Sequence, residues 1–177
     1  MKRYWAIAPY RNSRNDFEKV WKWNLKNGHI ALGWGIDGDP SQMDLESLGH
    51  AVDEWHEDRS SDSRKAILRM IWYWYHEVSE GDIVVARHGL SKVLAIGTVK
   101  RKGYYDPQQA EEMPAEYHFE NFLDVAWHKD KRNIVLPKKI FAQPSIQPMR
   151  EETYLAFINT LGESRGQIKS LTEDVEI

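Results

Sequence analysis

Flat aromatic rings interleaved with short basic clusters are the side chains here with the clearest capacity for recognition chemistry. The 177 residues include 8 Trp, 8 Tyr and 5 Phe, 12% of the chain, and packing alone does not need eight indoles. Tyr4, Trp5 and Tyr10 bracket the first apolar run, and Trp23, Trp34, Tyr104, Tyr105, Tyr117 and Trp127 follow. Among them lie Arg11 and Arg14, Lys100-Arg101-Lys102, Lys129, Lys131 and Arg132, and Lys138-Lys139. Rings that stack bases, framed by cations that hold phosphates, are the minimum equipment for binding nucleic acid. A box of indoles and phenols also encloses a methyl group carried by a base.

Other chemistries find less support. Gly33-Trp34-Gly35-Ile36-Asp37-Gly38 matches the glycine spacing of a dinucleotide turn. A bulky Trp where the turn must be tight, two aspartates that would repel a pyrophosphate, and no clear parallel crossover afterwards argue against that use. The simpler reading is a turn that brings the backbone close to a neighbour and leaves Trp34 projecting, with a core indole as the competing placement. Seven histidines form no compact ligand pair; His50 and His56 stand six apart, on different helix faces. The absence of cysteine excludes disulfides, cysteine zinc sites and thiol catalysis, and favours a reducing compartment. No nucleophile elbow, Walker loop or nuclease motif is present. The expectation is a non-catalytic chain with no metal and no cofactor.

The elements that must position these residues follow from periodicity. Tyr4–Ala8 and His29–Leu32 read as short strands flanking a helix that Asp16 caps, with Phe17, Val20, Trp21 and Leu25 on its core stripe and Trp23 off it. Met43–Glu57 and Ser63–Val78 read as helices. Asp82–Arg87 and Val93–Lys100 form a hairpin around HGLS, Phe122–Trp127 alternates as a strand, and Asn133–Leu136 is a further strand. Glu151–Leu161 is a final helix, and 163–177 reads as a linker or frayed tail. The class is α+β around a curled sheet, one domain over 1–162.

The net charge of −3 rules out a wholesale basic protein, so any nucleic-acid surface is local. Residues 1–26 hold seven basic and two acidic side chains, whereas 37–62 hold one basic and nine acidic. The N-terminal MKRYWAIAPYR has an apolar run too short for a signal peptide or anchor, so no membrane partner is expected.

Taken in order, RYWAIAPYR, HIALGWG with GDP, EGDIVVAR, VLAIGTVKRKGYYD, YHFENFLDVAW and FAQPSIQPMREETY resemble EVE domains. These share the PUA-like fold with the YTH readers of N6-methyladenine. The run is also similar to the N-terminal specificity domains of McrB-type, modification-dependent restriction systems, and covers roughly residues 3–162. The resemblance implies a curved β-barrel flanked by helices, with a pocket for a base flipped out of a duplex. It implies Trp34, beside Gly35, as the first cage wall and Tyr10 in the loop of polar base contacts. No Trp lies between residues 75 and 126, so Tyr105, Tyr117 or His118 would supply the second wall.

The resulting expectation is a cytoplasmic DNA reader of a methylated base, N6-methyladenine ahead of 5-methylcytosine. Arg11, Arg14, Lys100, Arg101 and Lys102 would hold the backbone, and an AAA+ motor and a nuclease would be partners. The alternatives are an RNA or tRNA-modification reader and an enzyme domain binding a nucleotide or small molecule at the Gly33–Gly38 turn.

Overall fold

The computed structural model describes residues 1–9, 14–142 and 144–160. Tyr10, Arg11 and the expected tail at 163–177 lie outside the described residues. Two long strands form the spine of the fold: β4 (Lys92–Tyr105) and β5 (Asn121–Val135), paired antiparallel. Around them β1 (Tyr4–Ile7), β2 (His29–Leu32), β3 (Ile83–His88) and β6 (Ile146–Met149) complete a sheet ordered β2-β5-β4-β3-β1-β6. Every pairing is antiparallel except β1 with β3. A parallel pair needs a long crossover, and here it contains α1 (Arg14–Asn27), β2, α2 (Leu45–Trp55) and α3 (Ser61–Trp72).

The sheet curls because the β4–β5 register slips three times. Four residues of β5, 128–131, face Ile96 alone, and β4 carries an extra residue twice between Val99 and Tyr104. Each bulge bends and further twists the strand that carries it. The result is an α+β fold whose six-stranded mixed sheet forms a half-barrel flanked by helices. Its edges, β2 and β6, pair with β5 and β1 respectively and not with each other.

Both faces of the central strands are covered, which explains the unbroken apolar run IVVA in β3. Trp5, Ile7, Val84 and Ala86 join Trp21, Ile71 and Trp74 under the helices, whereas Tyr4, Ala6, Ile83 and Val85 meet Phe141, Tyr154 and Phe157 on the opposite face. Tyr154 and Phe157 lie on a helix over residues 151–160, α5. Asp82 ties β1 to β3 by accepting hydrogen bonds from the Arg3 N–H, the Trp5 indole and the Ser79 N–H at 2.9, 2.9 and 3.0 Å.

Four differences from the sequence expectation have physical causes. The helix expected over Ser63–Val78 gives way at Tyr73 to a wider turn through Glu77, where the Val78 N–H reaches back five residues to the Tyr73 carbonyl. That widening buries the consecutive rings of Trp74 and Tyr75. The two strands expected over 122–127 and 133–136 are one, because the polar 128–131 segment breaks the alternation of side chains without ending the ladder. β4 runs on past Lys100 to Tyr105, its charged middle exposed. β6 contains Pro148, which an edge strand accommodates. Among the described residues no helix is long and apolar enough to cross a membrane.

Candidate nucleic-acid interface

Trp34, Gly35, Tyr105, Tyr117 and His118 come from three separate stretches of chain and line one cavity of about 330 Å³. Its floor is the turn after β2. Gly33 must be glycine there: a Cβ would overlap the Phe119 ring, with Phe119 Cε1 only 2.9 Å away. Gly35 continues the turn in the left-handed region at φ +59°. The Trp34 carbonyl accepts from His56 Nε2 at 2.5 Å, which ties the turn to the end of α2.

Trp34 does not project into solvent. Its side chain is 7% exposed and packs edge-on against Trp74, ring centroids 5.5 Å apart, within the main core. It therefore offers the cavity only a small part of its surface. Of the two placements expected for the indole, the core one holds and the projecting one does not, although the residue borders the cavity. Truncating it to alanine would open a core void costing roughly 3–5 kcal/mol, so its removal would damage the fold as well as the cavity.

The opposite wall is built by the end of β4 and the loop that returns from it. Asp106 caps the short helix α4 (Pro107–Ala110) by accepting from the Gln109 N–H, and its own N–H donates to the Glu120 carbonyl at 2.9 Å. That bond closes the 106–120 loop and holds Tyr117, His118, Phe119 and Glu120 opposite the turn. Tyr117 is 55% exposed at the mouth, and His118 Nε2 donates to the Ala115 carbonyl at 3.1 Å. Asn121 anchors the base of the loop: its Nδ2 donates to the Leu32 carbonyl at 3.0 Å, and its Oδ1 accepts from the Tyr75 hydroxyl. The wide turn after α3 thus backs the cavity twice, with Trp74 behind Trp34 and Tyr75 behind Asn121.

One carboxylate, Glu120, lines this cavity, and the charges of Asp37 and Asp39 reach it. Burial first, then a hydrogen bond to Glu120 and the charges of Glu120, Asp39 and Asp37, push the Tyr105 phenol up to about 12. Burial likewise raises the Tyr75 phenol. A phosphate is repelled from such a place, whereas a neutral ring bearing hydrogen-bond donors is suited to it.

Tyr104, next along β4, points to the other face of the sheet, as alternation requires. There it lines a second cavity of about 660 Å³ with His29, Gln109, Asp124 and Arg101. The Tyr104 hydroxyl donates to Asp124 Oδ1 at 2.6 Å, and the Arg101 guanidinium lies 3.7 Å over its ring. Of the expected backbone contacts, Arg101 therefore sits with Tyr104 on this opposite face, and Lys100 and Lys102 are exposed on the same strand. Arg14 opens α1, its side chain outside what is described, and Tyr10 and Arg11 are outside the described residues altogether.

Sequence reasoning missed Glu120, Asn121 and Tyr75. The signal was a polar Glu-Asn pair entering an alternating strand, which marks residues held by partners elsewhere. The glycine turn leads into a single 3₁₀ turn (Pro40–Gln42), and β2 before it pairs antiparallel with β5, so that strand opens no βαβ unit. Among the described residues no group of three or more His, Asp or Glu is arranged to hold a metal ion. No curated protein matches the chain. Residues 5–149 match the family described as Domain of unknown function (DUF8426), and the chain belongs to it.

Proposed function

We propose that this protein is a non-catalytic reader of a modified base, a PUA-like domain of the EVE and YTH type. One observation carries the reading: five residues selected from sequence as cage or turn positions line a single cavity of about 330 Å³. That volume suits one base held among aromatic side chains. The acidic surroundings favour a base inside and its phosphates outside, where Lys100 and Lys102 are exposed on β4, the strand that ends at Tyr105. Extruding the base costs a few kcal/mol, which stacking at roughly 1–3 kcal/mol per ring can offset. DNA is the proposed polymer and N6-methyladenine the leading base, with 5-methylcytosine next. The reader would act in the cytoplasm as the specificity module of a restriction complex whose motor and nuclease are other components.

The test is titration of matched duplexes that differ only in the modification, with single-stranded DNA and RNA of the same sequence as further arms. Tyr117→Ala is the informative variant, because this ring is exposed and its loss leaves the core intact. The expected result is preference for a modified duplex, weakened in the variant. Equal affinity for modified and unmodified duplexes refutes the reader; tighter binding to RNA moves the polymer, not the pocket.

A further inference from the structure

Three polar side chains on the cavity's inner wall already have partners, while the Tyr117 hydroxyl stands at its exposed mouth. The Tyr105 hydroxyl is bonded to Glu120, His118 Nε2 donates to the Ala115 carbonyl, and Asn121 Nδ2 donates to the Leu32 carbonyl. The Asn121 oxygen is committed too, to the Tyr75 hydroxyl. Glu120 is different. An ionised carboxylate has about four acceptor positions and no donor, and Tyr105 occupies only one of them. Its backbone is fixed on both sides, by the Asp106 N–H on its own carbonyl and by the clamped Asn121 that follows. A half-buried acceptor is thus held in place at the cavity wall.

We infer that Glu120 selects bases carrying an exocyclic amine, of the adenine or cytosine type, and rejects thymine-type bases whatever their modification. The inference rests on the reader proposal and names what its pocket accepts. An amine directs an N–H at the carboxylate, and N6-methyladenine keeps one such N–H while 5-methylcytosine keeps two. A thymine-type base turns a carbonyl to the same place, so two acceptors face each other away from water. Tyr105 lines the same cavity as Glu120 and shares a hydrogen bond with it.

The experiment uses the full chain and three pairs of duplexes, carrying N6-methyladenine, 5-methylcytosine or 5-hydroxymethyluracil, each against its unmodified counterpart. The expected result is that at least one amine-bearing modified base binds about tenfold or more tighter than 5-hydroxymethyluracil, the effect of setting one held acceptor against a carbonyl. Glu120→Gln, whose amide can donate as well as accept, should narrow that ratio severalfold, whereas Tyr117→Ala should weaken all modified duplexes together. If 5-hydroxymethyluracil binds as well as the amine-bearing bases, or if Glu120→Gln leaves the ratio unchanged, the inference is wrong and the reader stands. If no modified duplex exceeds its unmodified partner, the reader itself fails and the inference falls with it. The wild-type ratio decides the question even where the glutamine variant folds poorly.

Discussion

Acidification should destabilise this protein well before its carboxylates titrate, and His29 is the reason. The ring is 3% exposed, wedged edge-on against Trp23 and Phe122 at centroid distances of 4.4 and 5.2 Å. Its Nδ1 accepts from the Gln109 amide at 3.1 Å, so a second proton there would confront an N–H already in place. Burial lowers its pKa to about 4, against a modest opposing pull from Asp124. The unfolded chain, with the ordinary value of 6.5, takes up the proton first, so stability is lost as pH falls from about 7 towards 4 and this group adds nothing further below that. Between pH 7 and pH 5 the linkage amounts to about 2 kcal/mol. Urea unfolding at the two pH values, followed by tryptophan fluorescence, measures it. His128, also lowered by burial and by Lys131, contributes in the same direction, so the comparison is with His29→Phe, which keeps a ring in the wedge and removes the titration. The variant should lose about 2 kcal/mol less than the wild type over this interval. Equal losses in the two proteins, or an NMR titration placing His29 near 6.5, would refute the reasoning.

Three further outcomes follow from the packing around the cavity. Gly33→Ala should cost roughly 1–3 kcal/mol in urea unfolding, as overpacking does, and lower affinity for modified duplexes by pushing Phe119 towards the pocket. Tyr75→Phe removes the hydroxyl that satisfies the buried Asn121 oxygen and should cost roughly 1–3 kcal/mol, with modified-base affinity falling as the Asn121 clamp loosens; an unchanged urea midpoint would show that water or a neighbour takes over. Lys100→Ala should weaken binding to every duplex alike and reduce the log–log salt slope by about 0.9, the release expected for one phosphate contact; an unchanged slope removes Lys100 from the interface.

What could be read from the residues depended on how local the determinant was. The apolar run of β3, the stripe of α1 and the glycine turn after β2 are patterns within a few residues, and each reappears where periodicity put it. The long bulged β5 was split in two, because charges at 128–131 interrupt the alternation while their backbone stays in the ladder. The cavity divides the same way. Its rings stand out by type, since Trp34, Tyr105, Tyr117 and His118 are conspicuous as residues. Glu120 and Asn121 are inconspicuous, and their meaning comes from partners far away in sequence: Asn121 touches Leu32 at a separation of 89 residues and Tyr75 at 46. Aromatic side chains announce themselves because they can do little besides pack or stack. A carboxylate or amide becomes specific only when its neighbours use up the alternatives, and that exhaustion is a property of the fold. Here it leaves the Glu120 carboxylate on the cavity wall, and in the proposed reader that group would set which base is bound while the rings set how tightly.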